Sequence, residues 1–131
     1  MSTPRQVVHA PGAPKPNGNY SHAIRAKNGT LYLAGWMGDD PETGKIVPGG
    51  IEAQTERAIL NIKTCLEAAG SSLDNVISRR MYIIPLKEDF RKVAATWDKY
   101  FPGPSSVSTC IGVTALAKEG ALVELEVVAE C

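Results

Sequence analysis

The chain has 131 residues, 44% hydrophobic and 21% charged, and this length and composition fit one globular domain spanning residues 1–131. Lys plus Arg and Asp plus Glu each number 14, so the formal charge is zero and no basic run is present, which disfavours nucleic acid as a partner because phosphate binding requires a basic surface. No apolar run approaches the ~18 residues that span a bilayer, and the N-terminus lacks an apolar signal segment, so we expect a cytoplasmic protein without a membrane partner.

The first third of the chain predicts strands. Residues 6–10 (QVVHA) form a short strand candidate, and residues 21–36 (SHAIRAKNGTLYLAGW) are typical of a hairpin. The hairpin turn is predicted at residues 27–29 (Lys-Asn-Gly), because Asn-Gly is a strong signal for a tight turn. The segment that follows, GDDPETGKIVPGG at 38–50, is rich in turn residues and predicts a long loop.

Two amphipathic helices are predicted. The first runs from near Ile51 to Ala69, where Gly70 is a good C-terminal stop. Spacings of three and four separate the members of its inner face, which are Ile51, Thr55, Ala58, Ile62, Leu66 and Ala69. The second helix runs from about Lys87 to Phe101 and is ended by Pro102. Its apolar stripe consists of Phe90, Val93, Trp97 and Phe101.

Three further strands complete the predicted order β-β-β-α-β-α-β-β. They are residues 76–84 (VISRRMYII), residues 105–113 (SSVSTCIGV) and, after a turn at Gly120, residues 122–130 (LVELEVVAE). Two amphipathic helices need one sheet to bury against, so we predict a two-layer α+β fold with both helices on one face of a single sheet.

The second face of this sheet has an unusual composition. In the last strand, Val123, Leu125 and Val127 should lie under the helices, which leaves Glu124 and Glu126 on the second face. Alternation in the strand 76–84 places Ile77, Arg79, Met81 and Ile83 on one face and Val76, Ser78, Arg80, Tyr82 and Ile84 on the other. Apolar and charged groups mixed in this way favour a subunit interface with pockets over a solvated monomer surface, so we predict a cyclic homo-oligomer.

The strand 105–113 also has two unlike faces. Val107, Thr109, Ile111 and Val113 alternate on one side, and the small residues Ser106, Ser108, Cys110 and Gly112 occupy the other. A face of small groups predicts either close packing against another backbone or the floor of a binding pocket.

Glu124 and Tyr20-Ser21-His22 carry groups suited to acid–base chemistry. Glu124 could hold a water or share a proton with Glu126, and the alternative is that these carboxylates form structural ion pairs, for example with Arg79 or Arg80. Tyr20 and His22 follow a loop that leads into a strand. His22 could act as an acid or base near neutral pH, or it could be a hydrogen-bonded structural residue.

The cysteines and tryptophans favour packing. Cys110 has no activating group nearby in sequence, so a small packing residue is the better interpretation. Trp36 belongs to the core or an interface, or it walls a pocket just after a strand. Cys65, Cys110 and Cys131 lack metal-binding spacing, and we expect no metal or other cofactor.

Taken together, these segments resemble the reactive-intermediate deaminase family, also called RidA/YjgF. The resemblance covers nearly the whole chain and rests on GNYSHAI, LYLAG, GDDPETGKIV, QTERAILNIKTCLEAAG, LDNVISRRMYI, DFRKVAATWDKYF and LVELEVVA, in this order. It implies a chorismate-mutase-like fold and a homotrimer with a central barrel and ligand clefts between subunits. It further implies hydrolysis of enamines and imines of 2-keto acids, with release of ammonia.

The resemblance also implies roles for individual residues. Tyr20 matches the pocket Tyr, Glu124 the carboxylate that positions water, and Cys110 a pocket-lining Cys. The family's carboxylate-binding Arg lies two residues before that Cys, and here the position is Ser108. Because the last Arg of the chain is Arg91, no Arg comes from either C-terminal strand.

Other family positions differ as well. Ala34-Gly35-Trp36 stands where Ser-Gly-Gln is common, His22 where Gln is frequent after Tyr-Ser, and Ala94 where Asn is frequent. These changes make the expected cleft more apolar and suited to a larger or uncharged substrate, unless Arg79 or Arg80 replaces the missing Arg.

Three functional hypotheses remain. The first is a divergent enzyme acting on a small imine, enamine or related intermediate, with catalytic residues Glu124, Tyr20 and His22 and substrate-binding residues Ser108, Cys110, Trp36, Ala34 and Arg80. The second is a non-catalytic homotrimer that binds a small metabolite or serves as a scaffold. The third is an endoribonuclease, an activity attributed to some relatives, and the neutral charge argues against it.

Overall fold

A computed structural model describes residues 4–101 and 103–131. Within these residues the chain forms seven strands and two α-helices. The strands are β1 (Gln6–Val8), β2 (Ala23–Arg25), β3 (Leu31–Leu33), β4 (Trp36–Met37), β5 (Val76–Ile83), β6 (Val107–Gly112) and β7 (Val123–Ala129). The helices are α1 (Gly50–Ala68) and α2 (Leu86–Tyr100), and a short 3₁₀ turn (Leu73–Asn75) precedes β5. None of the described helices is long and apolar enough to cross a membrane.

All seven strands belong to one mixed sheet. The order is β1-β2-β3-β7-β5-β6, with the short β4 also paired to β7. Every pairing is antiparallel except that of β5 with β6, which are parallel and connected by α2. Both helices pack on one face of this sheet. The predicted α+β, chorismate-mutase-like fold is confirmed.

Helix α1 buries the face that its periodicity predicts. All six predicted positions, Ile51, Thr55, Ala58, Ile62, Leu66 and Ala69, are buried. Gly70 has a φ of +81°, the left-handed conformation that terminates a helix without strain only at glycine.

Helix α2 has a narrower buried stripe than predicted. Val93 and Trp97 are buried and Phe101 is partly buried, but Phe90 is exposed, so including Phe90 in the stripe was wrong. In the first turn, Leu86 instead of Phe90 makes the contact with the sheet, against Gly112 of β6. Pro102, the predicted end of the helix, lies outside the described residues.

Strand β5 does not alternate along its whole length. The pairing with β7 shifts between Val76 and Ser78, which marks a β-bulge. Beyond the bulge, Met81 and Ile83 are buried as predicted, but before it Val76 is buried and Ile77 is exposed. The prediction that Ile77 shares the core face, with Val76 opposite, was therefore wrong, because a bulge adds one residue to the strand and reverses the alternation.

The sequence also missed β4. Trp36 and Met37 pair with Leu125 and Glu124 of β7 after a break that follows β3. Two residues are too few to show a period, so the segment resembled the end of the hairpin. The break matters because it brings the backbone of Gly35 against the side chain of Glu124.

Candidate functional site

Glu124 lies in an open cleft on the sheet face that the helices leave uncovered. It alternates with the buried residues Val123 and Leu125 of β7, as predicted. The cleft has a volume of about 570 Å³. Its lining includes Asn17, Tyr20, Ser21, Ile24, Tyr32, Ala34, Gly35, Met37, Ala117 and Glu124. The structure therefore brings together Glu124, Tyr20 and Ala34, three of the predicted site residues.

The carboxyl group of Glu124 holds its proton more tightly than an ordinary glutamate. Partial burial raises its pKa above the usual 4.5, and the neighbouring charges of Glu126 and Asp39 raise the pKa further. The carboxylate packs directly on the backbone of Gly35, where a Cβ would lie 2.9 Å from the Glu124 Cδ. Glycine at this position leaves the space that the carboxylate occupies, and the raised pKa suits proton exchange closer to neutral pH.

Glu126 has a different partner on the same face. The Tyr82 hydroxyl donates a hydrogen bond of 2.8 Å to Glu126 Oε1, and this bond is the main reason that the pKa of Tyr82 is raised. Arg80 lies across from Glu126 in the β5–β7 pairing and is exposed. Among the described residues neither Arg79 nor Arg80 forms an ion pair with Glu126, so its structural partner is a tyrosine rather than the predicted arginine.

Tyr20 lies at the rim of the Glu124 cleft. Its hydroxyl donates to Asn17 Oδ1 at 2.9 Å and accepts from the Asn17 backbone N–H at 3.3 Å. Tyr20 is 46% exposed and lines the cleft, and the two hydrogen bonds to Asn17 hold its hydroxyl in place.

His22 and Trp36 are placed in the core instead of the cleft. His22 is only 2% exposed, its Nδ1 accepts the Ala10 backbone N–H at 3.0 Å, and its Nε2 donates to the Pro14 carbonyl at 2.8 Å. Trp36 is buried with its ring centroid 5.3 Å from that of His22. With both ring nitrogens bonded to backbone groups, His22 holds the 10–14 loop against the sheet, and Trp36 packs beside it in the core.

The small-residue face of β6 lies on the helix side of the sheet. Cys110 is in register with the buried Met81 of β5 and packs against the core, and Gly112 allows close approach of Leu86 of α2. Glu124, in contrast, pairs with Tyr82 on the opposite face. Our expectation of a single cleft containing Ser108, Cys110, Trp36 and Ala34 is therefore not met within one chain.

Arg79, rather than Arg80, accompanies Ser108 and Cys110. The parallel register sets Arg79 beside Ser108, and the Arg79 Nε donates to the Ser108 Oγ at 2.9 Å. Burial raises the pKa of Cys110, and the positive charge of Arg79 partly offsets this effect. Arg80 points to the other face, so within one chain the geometry does not place it with Ser108 and Cys110. The sequence could not show which arginine lies beside Ser108, because it does not give the register between the strands 76–84 and 105–113.

Comparisons with known proteins agree with this architecture. The family described as Endoribonuclease L-PSP matches residues 10–131. A RutC family protein of Pyrococcus abyssi is 40% identical over 125 residues, covering 95% of this chain and 96% of the relative. The 2-iminobutanoate/2-iminopropanoate deaminase of Mus musculus is 33% identical, covering 95% of this chain and 90% of the relative.

This chain belongs to the L-PSP family, which includes the RidA/YjgF proteins. A crystal structure of the Rid-family protein YyfA from Yersinia pestis superposes with a TM-score of 0.91 at 33% identity, covering 97% of this chain and 99% of that chain. The crystal structure of RidA from an Antarctic Psychrobacter superposes with a TM-score of 0.90 at 32% identity, covering 96% of this chain and 99% of that chain. The resemblance inferred from sequence is confirmed.

For a member of the L-PSP family, the distribution of polar groups is informative. One chain presents two separate clusters, the Glu124–Tyr20 cleft on the uncovered face and the Arg79–Ser108–Cys110 cluster on the helix side. The second cluster lies at the edge strand β6. The first cluster presents a carboxyl group with a raised pKa, and the second presents a guanidinium beside a hydroxyl.

Proposed function

We propose that this L-PSP protein hydrolyses a small imine or enamine at clefts between the subunits of a homotrimer. Relatives that share about a third of its sequence over most of its length are 2-iminobutanoate/2-iminopropanoate deaminases, which supports this reaction class. Glu124 with its raised pKa, in a cleft with Tyr20, supplies the acid–base group that the reaction requires.

The separation of the two clusters carries the proposal for the assembly. Within one chain, Glu124 and the Arg79–Ser108–Cys110 cluster are separated by the sheet, because they lie on its opposite faces. The edge strand β6 exposes Val107 and Ile111 on the uncovered face. A neighbouring subunit that packs against this edge would cover both residues and bring its own Glu124 cleft to the cluster.

In the proposed mechanism, Glu124 moves protons while water adds to the imine. The carboxylate takes a proton from water as the water oxygen bonds to the imine carbon, and it passes this proton to the nitrogen that receives the electrons of the C=N bond. It then takes the O–H proton of the resulting carbinolamine and delivers it to the nitrogen as the C–N bond breaks. Ammonia leaves, a carbonyl group forms, and one water is consumed. Tyr20 would orient the substrate from the rim.

The test is an assay with 2-iminobutanoate generated in situ, in which its disappearance is followed in competition with a trapping agent. Wild type should accelerate the loss, and Glu124→Gln should reduce the rate about 10²-fold, the usual contribution of a positioned acid–base group. Glu126→Gln is the matched control, because its carboxylate is bonded to Tyr82, and it should retain most of the activity.

Other outcomes favour the remaining hypotheses. Wild-type protein that binds the product 2-oxobutanoate without accelerating imine loss would be a binding protein. An RNA-cleaving activity that sediments with the protein, and that is lost in Glu124→Gln, would replace imine hydrolysis as the function of this cleft.

A further inference from the structure

The guanidinium of Arg79 is held as if prepared for a ligand. One side of the group is fixed by the 2.9 Å hydrogen bond from Nε to the Ser108 hydroxyl. Its flat face is covered by Trp97 of α2, with the Arg79 Cζ 4.9 Å from the ring centroid. Trp97 is itself stacked on Phe101, with centroids 3.8 Å apart and planes within 5°. A cation fixed by a hydrogen bond and by stacking loses little further freedom when it binds an anion.

The terminal nitrogens of Arg79 remain available. In the part of the chain that the structure describes, the ion pairs are Lys92–Asp89 and Lys118–Asp39, and the one hydrogen bond from the Arg79 side chain is made by Nε. Asp74 and Asp98 line the same small cavity, of about 80 Å³, but neither lies within 4 Å of the guanidinium. Two parallel N–H groups without a carboxylate partner match a ligand carboxylate in bidentate geometry.

The surroundings of Arg79 favour a ligand over a structural role. Ser108 is small and leaves the edge of β6 open beside the guanidinium, and Cys110 continues the same face. A purely structural arginine is usually paired with a carboxylate, since an unpaired charge at a partly buried site costs free energy.

We propose that Arg79 binds the carboxylate of the substrate, and that Ser108 and Trp97 position it for this role. This inference rests on the proposed function. It replaces our expectation that Ser108 implies an uncharged substrate, because the cation comes from the neighbouring strand β5 instead of β6. The reacting carbon then lies between this cluster of one subunit and the Glu124 cleft of the next.

Arg79→Gln and Arg80→Gln form a matched pair for the test. They are adjacent in β5 and differ in the sheet face that they occupy. With 2-iminobutanoate, Arg79→Gln should raise KM about 30-fold or more, as loss of a charged bidentate contact does, while Arg80→Gln should change it less than about threefold. A second arginine in Arg79→Gln/Ser108→Arg should restore part of the affinity.

Inhibition separates ligand binding from a structural role. The product 2-oxobutanoate and its uncharged analogue 2-oxobutanamide should both compete with substrate. Arg79→Gln should weaken inhibition by the carboxylate at least tenfold more than inhibition by the amide, whereas a structural defect would weaken both equally and overturn the inference. If Arg79→Gln does not fold, Arg79→Lys keeps the charge without the planar fork, and the same difference is expected on a smaller scale.

The outcomes distinguish the two proposals. Active wild type with an unchanged KM in Arg79→Gln contradicts the role of Arg79 and leaves the proposed reaction intact. Inactive wild type contradicts the reaction, and titration calorimetry with 2-oxobutanoate then decides on Arg79 alone: binding that is lost in Arg79→Gln and kept in Arg80→Gln supports the role, and equal binding by both variants rejects it.

Discussion

The properties of single side chains in this protein depend on their immediate neighbours and not only on the sheet face on which they lie. Glu124 and Glu126 are two residues apart on one face, yet Glu126 accepts the Tyr82 hydroxyl and Glu124 packs against the backbone of Gly35. Burial and nearby carboxylates raise the pKa of Glu124. The two carboxylates therefore differ in their contacts, although they share one face of the sheet.

The raised pKa of Glu124 predicts a pH dependence. A base acts only when deprotonated, so kcat/KM should fall as the pH decreases, with a midpoint above the ordinary glutamate value of 4.5. In Glu126→Gln this limb should remain, with a slightly lower midpoint, because one of the charges that raise the pKa of Glu124 is removed. A limb at or below pH 4.5 in wild type contradicts the proposed role.

The same shift predicts an effect on stability. Because the folded protein raises the pKa of Glu124, the contribution of this group to stability is fully present below the unfolded pKa and is lost as the pH rises through the folded value. At pH 7, Glu124→Gln should therefore increase the melting temperature by about 1–4 °C, and the difference should vanish at acidic pH. Thermal unfolding at both pH values measures it.

At this scale the sequence indicated the types of residue in the site better than their roles. Glu124, Tyr20 and Ala34, which the family resemblance placed among the site residues, line one cleft. His22 was a reasonable acid–base candidate, but its two hydrogen bonds go to the backbone of Ala10 and Pro14, and backbone partners leave no sequence signal.

Among the elements, the break between β3 and β4 has the most direct effect on the site. It allows two residues of β4 to pair with β7 and brings Gly35 against Glu124. Any side chain at position 35 would compete with the Glu124 carboxylate for the same space.

Gly35→Ala should accordingly displace the carboxylate. We expect kcat/KM to fall by about 10²-fold, as small misplacements of catalytic groups do, and the free energy of unfolding to fall as well. In a Glu124→Ala background the steric conflict is absent, so the same Gly35→Ala change should cost little stability. Urea denaturation of wild type, Gly35→Ala, Glu124→Ala and the double variant measures the loss of unfolding free energy caused by Gly35→Ala in each background. Equal losses in the two backgrounds would show that Gly35→Ala does not conflict with Glu124.

The elements themselves were predictable where a period extends over several turns. Helix α1 follows its pattern of spacings over its whole length, and each predicted inner residue is buried. The bulge in β5 and the two-residue β4 depend on pairing with β7, which is about fifty to ninety residues away in the chain. A local pattern contains no information about such partners, so these features could not be predicted from periodicity.

For the whole molecule, the main question is how the two polar clusters meet. The sequence predicted a mixed second face and an oligomer, but it could not show that Ser108 and Glu124 lie on opposite sides. Alternation states which residues of one strand share a face, and only the register between strands relates the face of one strand to that of another.

The proposed homotrimer predicts a sedimentation mass of three times the 14.0 kDa chain. Ile111 on β6 and Phe90 on α2 are 41% and 40% exposed, so lysine at either position should cost a single chain equally little. Only Ile111→Lys should reduce the mass toward one chain and lower imine hydrolysis at least tenfold, because only β6 lies at the proposed subunit contact. A wild-type mass of one chain, or dissociation of both variants, contradicts the assembly.

The bulge in β5 lets even-numbered residues before it and odd-numbered residues after it face the same side of the sheet. Val76, at an even position, anchors the start of the strand in the core, while the odd positions Arg79, Met81 and Ile83 continue on that same side. Both sets share one side because β5 contains one residue more than β7 at the bulge. The length of the connection from α1 can therefore change by one residue through loss or gain of the bulge, while the pairing with β6 and β7 keeps Arg79 beside Ser108. The start of the strand can thus vary in length, while the position of the segment that contains Arg79 is fixed by its pairing.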